Sequence, residues 1–249
     1  MLDQILHAIG RALARYLSKP LKSYAPVATI PPEKLAAILQ PGDVLLVEGH
    51  SRLSMAIKYL TQSTWSHAAF YVGNHAPGSD GPMLIEADVQ TGVRLVPLAT
   101  YAHLHTRVCR PEKLQPGDLE RIIGDALQRV GQSYDLRNIV DLARYLLPAP
   151  PVPTRWRRRM IALGAGDPTK AICSTLIAQL FASIHYPILP EIRHIAVDHP
   201  GRAACYREIL HIRNYRLFTP RDFDISPYFQ IIKPERPTDF DYRTLDWDD

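Results

Sequence analysis

The sequence predicts an α+β fold, in which a small, mostly antiparallel sheet packs against helices. Short apolar runs at 44–47, 67–73 and 83–87 have the length and composition of strands. The last two are separated by a loop that contains Gly and Pro, which indicates a hairpin. Segments at 118–130 and 173–184 have apolar residues at helical spacing. Strands and helices that follow one another in this way are typical of an α+β domain.

The remaining elements are predicted from the same signals. Three further strands are predicted at 93–96, 107–109 and 228–232. Further helices are predicted from Pro32 onward, at 52–62 and at 138–147. The helix at 118–130 is expected to end at Gly131, because glycine is favoured just after a helix. The stretch 185–199 is broken by prolines and is predicted to be a loop.

Length and composition predict a globular protein with a packed core. The chain has 249 residues, of which 46% are hydrophobic and 22% charged. We predict three parts: an amphipathic helix and linker at 1–30, a main domain at 31–235 and an acidic tail at 236–249. No apolar stretch reaches the roughly 20 residues of a spanning helix, and the N-terminus does not resemble a secretory signal. A cytoplasmic protein is therefore expected.

Cysteine usage and charge narrow the function classes. Cys109, Cys173 and Cys205 are an odd number and too few for a disulfide framework. They fit a reducing compartment, where a thiol can act as a nucleophile. The net charge of +4 is a modest basic excess, and no nucleic-acid motif accompanies it. Nucleic acid is therefore not expected as a partner.

The N-terminal segment has two interpretations. Its apolar residues recur at helical spacing, with basic residues among them: Leu2, Ile5, Leu6, Ile9, Leu13 and Leu17, with Arg11, Arg15 and Lys19. Such a helix usually packs on the core of its own domain. Alternatively, it lies on an anionic membrane. Peripheral membrane association through residues 1–20 is thus a second expectation.

Three residues carry the chemistry: His67, Glu86 and Cys173. His67 begins a predicted strand, Glu86 lies in an apolar run on the returning strand, and Cys173 begins a predicted helix. Burying an acid among apolar residues is unfavourable unless the acid is paired, and the hairpin brings Glu86 near His67. Together the three supply a thiol nucleophile, its base and a group that orients the base. Individually, a free cysteine or a strand histidine is more often part of the core.

Cys173 needs activation, because only the thiolate is an efficient nucleophile and a free thiol has a pKa of roughly 8.5. A helix N-terminus and an adjacent imidazolium both lower the pKa of a thiol. A backbone N–H at the same position can also hold an oxyanion. A helix that began at Asp167-Pro168 would instead place Cys173 more than a turn inside and weaken both effects of the helix.

The order of the motifs supports a family resemblance. The motifs are PGDVLL at 41–46, Ser66-His67, IEA at 85–87 followed by Gly92-Val93, GQSYD at 131–135, CSTLI at 173–177 and TPRDF at 219–223. Together they cover roughly residues 40–232. The sequence thereby resembles the permuted NlpC-type papain-like cysteine hydrolases, in the branch of YiiX- and YebB-like proteins. Papain-like chains meet the cysteine first, whereas here it comes last, which is typical of a circularly permuted papain-like fold.

The resemblance implies a role for each residue. Cys173 is the implied nucleophile, His67 the general base and Glu86 the orienting residue, while Tyr134 and Ser174 are implied to contact the oxyanion or the substrate. No metal or organic cofactor is implied. The main domain would then be a thiol hydrolase that acts on peptide or amino-acyl amides.

Two other functions stay open. One is a membrane-associated lipid acyl hydrolase or acyltransferase, since the related lecithin:retinol acyltransferase group also orders histidine before cysteine. The other is a non-catalytic binding module on the same fold.

Overall fold

The computed structural model describes residues 15–20, 27–79, 81–88, 91–132, 173–197, 205–211, 214–215, 218–234 and 243. The predicted helix at 138–147 lies outside these residues, as do nearly all of the acidic tail and most of the N-terminal helix, of which residues 15–17 are helical. No helix in the described ranges is both long enough and apolar enough to cross a bilayer.

A six-stranded antiparallel sheet forms the centre of the structure. Its strands are β1 (Val44–Val47), β2 (His67–Gly73), β3 (Met83–Asp88), β4 (Gly92–Pro97), β5 (Thr106–Pro111) and β8 (Phe229–Ile232). They lie in the order β4-β3-β2-β1-β5-β8, with every neighbouring pair antiparallel. The predicted α+β architecture is confirmed, and each of these strands coincides with a predicted one.

The helices surround this sheet. They are α1 (Pro32–Ile38), α2 (Arg52–Thr61), α3 (Pro116–Gln128), α4 (Cys173–Ser183) and α5 (Pro220–Asp224), with a 3-10 turn at Leu98–Thr100. The predicted end of α3 was wrong, because the helix stops at Gln128. Gly131 instead adopts a positive φ of 88° and donates its N–H to the carbonyl of Val93 at 2.8 Å. This glycine therefore joins the segment that follows α3 to β4 by a backbone hydrogen bond.

The sheet is buried on both faces, because each face covers its own core. In β1, Val44 and Leu46 belong to the larger core, whereas Leu45 and Val47 belong to the smaller one. The larger core contains α4 and the smaller one contains Leu35 of α1. Burial on both sides explains why β1 is a continuous apolar run in the sequence.

A second, two-stranded sheet corrects the prediction of a loop at 185–199. β6 (Glu191–Val197) and β7 (Cys205–His211) pair antiparallel along their whole length. Pro190 precedes β6, and Pro200 lies in the connection between the strands. Proline is tolerated at strand ends and in turns, so these prolines bound the strand and do not break it.

Asp43 and Arg110 form a buried ion pair that fixes the start of β1. Arg110 donates from Nε to Oδ1 of Asp43 at 2.9 Å and from Nη2 to Oδ2 at 2.8 Å. The N–H of Gln40 also donates to Oδ2, at 2.8 Å. Only 1% of Asp43 is exposed. Burial raises the pKa of Asp43, although the bonds from Arg110 and Gln40 favour its ionised form.

This pair generates a prediction about stability. Arg110→Met leaves the Asp43 carboxylate buried without its guanidinium, so the free energy of unfolding should fall by about 3–5 kcal/mol. Denaturation in urea at pH 7 measures the change. Arg107→Met, in the same strand, is the control: Arg107 pairs with Asp224 but is 38% exposed, so its loss should be near 1 kcal/mol. Equal losses in the two variants would contradict a special role for the buried pair.

Candidate active site

The site lies where β2 begins and α4 begins. His67 is the first residue of β2, directly opposite Val47, the last residue of β1. Helix α4 packs against β2 through the larger core, where the rings of Phe181 and Phe70 meet edge to face at 6.2 Å. Cys173 and His67 therefore lie at the beginnings of two elements that pack on each other.

The side chain of Cys173 lies beside His67, close enough to raise the pKa of the imidazole. Cys173 is 5% exposed and the side chain of His67 is 22% exposed. The imidazole is thus the more accessible member of the pair, and both are largely shielded from water. Removing water strengthens the attraction between a thiolate and an imidazolium.

Glu86 contacts the opposite side of the imidazole. Nε2 of His67 lies 2.6 Å from Oε2 of Glu86, and Glu86 is 1% exposed. Since Nε2 faces the carboxylate, Nδ1 is the ring nitrogen left for Cys173. The imidazole therefore lies between the thiol and a buried carboxylate, and the contact with Glu86 fixes which nitrogen faces the thiol.

Two further donors hold Glu86. Arg94 lies directly across from Glu86 on β4 and donates from Nε to Oε1 at 2.8 Å, and its Nη2 lies 2.8 Å from the same oxygen in an ion pair. The hydroxyl of Tyr101 donates to Oε2 in a short hydrogen bond. The Tyr101 ring also lies 5.7 Å from the His67 ring, centroid to centroid. Each carboxylate oxygen of Glu86 is therefore occupied.

The electrostatics favour a charged site. Burial alone would lower the pKa of His67, but the charge and hydrogen bond of Cys173, followed by those of Glu86, raise it well above its ordinary value. Burial alone would raise the pKa of Glu86, but the bond and charge of His67, with help from Tyr101 and Arg94, lower it to about 2. Burial and the charge of Glu86 raise the pKa of Tyr101, so its hydroxyl keeps the proton that it donates. The arrangement stabilises an imidazolium beside a carboxylate.

The other two predicted site residues are placed differently. Ser174 is fully buried, and its hydroxyl donates to the carbonyl of Phe218 at 2.8 Å. The hydroxyl therefore anchors α4 to the segment at Phe218. Tyr134 lies outside the described residues.

A polar cavity of about 550 Å³ lies at the same end of the central strands, where β1 ends and β2 begins. It is lined by Trp65 and by charged groups that include Glu48, Lys58, Arg107 and Asp224. Lys58 pairs with Glu48 at 3.0 Å, and Nε1 of Trp65 donates to Asp224 at 3.0 Å. Its described lining holds none of the predicted site residues, although Trp65 is only two residues before His67.

Sequence reasoning missed Arg94 and Tyr101. The partnership of Arg94 with Glu86 follows from the register of the β3–β4 hairpin, in which Asp88 pairs with Gly92. Counting back from a tight turn after Asp88 would have placed Arg94 opposite the buried acid. No local signal marks Tyr101, because its position depends on the 3-10 turn that precedes it.

The fold and the site define a class: papain-like cysteine enzymes in which the histidine and the acid precede the cysteine in the chain. Residues 38–145 match the family described as "Permuted papain-like amidase enzyme, YaeF/YiiX, C92 family". The matched segment includes His67 and Glu86, and Cys173 follows it. The sequence-based resemblance to permuted papain-like enzymes is confirmed, as is the expectation of an enzyme of the cysteine hydrolase class.

Comparison with solved structures supports the same fold. The metalloprotein YiiX from Escherichia coli O157:H7 is similar with a TM-score of 0.50 and 17% sequence identity, over 80% of this chain and 99% of that one. No curated protein matches the chain. Across the described ranges, no three His, Cys, Asp or Glu side chains cluster in a way that could hold a metal ion. Those ranges therefore supply no set of metal ligands.

The low pKa of Glu86 predicts a particular acid sensitivity. A carboxyl whose pKa falls on folding stabilises the protein in full above its ordinary pKa of 4.5, and this contribution is lost as the pH falls through about 2. The difference corresponds to on the order of 3 kcal/mol. We therefore expect the stability gap between the wild type and Glu86→Gln to shrink as the pH falls from about 5 to about 2.

Urea denaturation of both proteins at a series of pH values measures this gap. His67 is protonated throughout this range, because its pKa lies above its ordinary value, so the change in the gap reports Glu86 itself. A gap that is independent of pH would show that Glu86 is not held in its ionised form.

Proposed function

We propose that this protein is a thiol hydrolase that forms an acyl-enzyme on Cys173 and cleaves amide bonds of peptide or amino-acyl substrates. The observation that supports this proposal is the position of His67 between the Cys173 side chain and the buried carboxylate of Glu86. The family match at residues 38–145 supports amide substrates, since the family is described as an amidase.

In the first half of the reaction, the Cys173 thiolate attacks the carbonyl carbon of the substrate. The carbonyl oxygen becomes an oxyanion in the tetrahedral intermediate. Cys173 and Ser174 are the first residues of α4 that the structure describes. In the proposed mechanism, a backbone N–H at this point donates to the oxyanion, an interaction worth about 3–4 kcal/mol where one such donor has been removed.

Proton transfers through His67 complete the cycle. When the intermediate collapses, the imidazolium gives its proton to the leaving amine, the C–N bond breaks and a thioester remains on Cys173. The neutral imidazole then takes a proton from water, whose oxygen attacks the thioester. Release of the carboxylic acid restores the thiolate and the imidazolium. Glu86 stays ionised throughout and orients the ring.

The first test is the pH dependence of Cys173 alkylation by iodoacetamide. The wild type should react at pH 6 about ten to one hundred times faster than His67→Ala, because the mutant thiol would be mostly protonated there. Cys173→Ser supplies the background from the other cysteines. Cys109 should contribute little, because burial raises the pKa of its thiol and it is fully buried.

Equal and slow alkylation of the wild type and His67→Ala would contradict the thiol hydrolase and favour a binding module on the same fold. If the ion pair is present, Cys173→Ser should abolish turnover of any amide substrate found by screening. A Cys173→Ser protein that kept turnover near that of the wild type would also contradict the proposed nucleophile.

A second candidate function is acyl transfer or hydrolysis on lipid at an anionic membrane, and a surface feature favours it. Exposed aromatic and sulfur-containing side chains lie beside basic ones in two adjoining segments. We call this the cationic–aromatic surface, which consists of Arg15, Tyr16, Lys19, Arg52, Met55 and Tyr59.

Contacts join the two segments of this surface. The guanidinium of Arg52 lies 4.1 Å above the ring of Tyr16, and the N–H of Arg52 donates to the carbonyl of Lys19 at 3.3 Å. Pro20 and Ser51 form an antiparallel bridge. The segment at 15–20 is thereby held against the beginning of α2.

Exposure and charge match a lipid surface. Tyr16 is 50% exposed, Met55 40% and Tyr59 55%. The sequence has no Asp or Glu at 4–32 or at 49–79, so the surface bears positive charge without acidic residues from its own segments. Amphipathic aromatic side chains beside cations are typical of proteins that bind the interface of anionic membranes.

Co-sedimentation with phosphatidylcholine vesicles, with and without phosphatidylserine, tests this candidate. Wild-type protein should bind the anionic vesicles, and Arg52→Gln should weaken binding about fivefold at low salt. The double variant Met55→Ser, Tyr59→Ser should weaken it about tenfold. Ile225→Ser is the control, because Ile225 is 47% exposed but lies in another part of the chain. Equal binding to neutral vesicles, or none to either kind, would contradict the candidate.

A further inference from the structure

We propose that Arg94 and Tyr101 are positioning residues of the active site: together they hold Glu86 ionised and directed at His67. This inference rests on the proposed thiol hydrolase and adds to it the groups that fix the orienting acid. Neither side chain is assigned to the reacting atoms. Both act on His67 through the carboxylate between them.

The geometry divides the two oxygens of Glu86 between different donors. Arg94 binds Oε1 with two nitrogens, while Tyr101 and His67 share Oε2. Rotation of the carboxylate about its last bond would break all of these contacts at once. The donors come from β2, from β4 and from the segment after the 3-10 turn, so Glu86 is held from three directions.

The two donors contribute in different ways. Arg94 is a full charge, but its side chain is 43% exposed, so water screens part of its attraction to Glu86. Tyr101 is neutral and more deeply placed, and its ring also packs beside the imidazole. Tyr101 therefore contacts both Glu86 and His67, so its effect on the site is more specific than that of Arg94.

Charges around Glu86 decide what happens when a donor is removed. Within the part of the chain that the structure describes, the titratable or charged groups near Glu86 are His67, Arg94, Tyr101, Cys173 through His67, and Asp88, which lies 3.9 Å from Arg94. Burial raises the pKa of Glu86 and so favours its protonated form, and each donor lowers that pKa. Without the hydroxyl of Tyr101 or the charge of Arg94, the pKa of Glu86 should rise, so Glu86 would be protonated at a higher pH.

Protonation of Glu86 weakens its hydrogen bond with Nε2 of His67, so the imidazolium is no longer held in the orientation that faces the Cys173 thiolate. Loss of the donor from Tyr101 or Arg94 should therefore raise the lowest pH at which the Cys173 thiolate still reacts. A donor that only stabilises the fold would lower stability and leave this range unchanged. The acid limb of the reactivity profile thus separates positioning from structural support.

The experiment measures the rate of Cys173 alkylation by iodoacetamide from pH 3 to pH 9 in Tyr101→Phe and Arg94→Gln. We expect the acid limb to move to higher pH in both, with a loss of about tenfold on that limb that shrinks towards neutral pH. Arg94→Lys keeps the charge and should restore part of the loss. Urea denaturation of each variant confirms that it is folded at the pH values used.

Two matched variants serve as controls. Tyr186→Phe removes a hydroxyl that donates to the carbonyls of Glu112 and Tyr228, and Arg110→Lys alters the buried pair with Asp43. Both should change stability without moving the acid limb. If Tyr101→Phe and Arg94→Gln give the same profile as the wild type, the positioning role is overturned.

The outcomes also separate this inference from the proposed function. A wild-type thiol that reacts only in the ordinary pH range of free cysteine would overturn the hydrolase itself. A wild-type thiol that reacts at low pH, with unshifted profiles in both variants, would overturn the positioning role alone. A shift in Tyr101→Phe but not in Arg94→Gln would overturn the role of Arg94.

Discussion

The buried carboxylate of Glu86 is the constraint on which the rest of the site depends. An ionised acid at 1% exposure is tolerated only if its oxygens are fully bonded and a positive charge lies nearby. The fold meets this requirement by surrounding β3 with β2 and β4, and by following β4 with a 3-10 turn. His67, Arg94 and Tyr101 each reach Glu86 from one of these neighbours. The order of the strands and the orientation of the imidazole are therefore parts of one arrangement.

A second buried acid shows that burial alone does not define a functional site. Asp43 is as buried as Glu86 and is also bonded twice by an arginine. Its other partner, however, is a backbone N–H, and Arg110 cannot lose its proton in the range where proteins are folded. One oxygen of Glu86 instead contacts the imidazole of His67, which can lose its proton in that range. A buried carboxylate becomes useful in catalysis when one of its partners can give up and take back a proton during the reaction.

The sequence predicted the parts of the fold that rest on local patterns. Apolar runs and the Gly- and Pro-containing hairpin indicated β1 to β5, and an acid inside such a run drew attention to Glu86. Other features depend on distant neighbours. The prolines around β6 led to the prediction of a loop, because only the pairing with β7 shows that they lie outside the strand. Tyr101 carries no signal of its own, and the burial of the Ser174 hydroxyl depends on Phe218.

Permutation of the chain does not weaken the link between the cysteine and the histidine, because that link is made by packing. β2 presents Ala68 and Phe70 to the larger core, to which α4 also belongs, and the same strand begins with His67. Phe181 packs edge to face on both Phe70 and Phe229, which fixes the helix against the sheet at some distance from the chemistry. The position of α4 on β2 is thus set by core packing, while the orientation of the imidazole is set by Glu86. In the proposed mechanism, the nucleophile and the base are thus positioned by separate means, and the proposed site is complete only when the core and the buried acid are both in place.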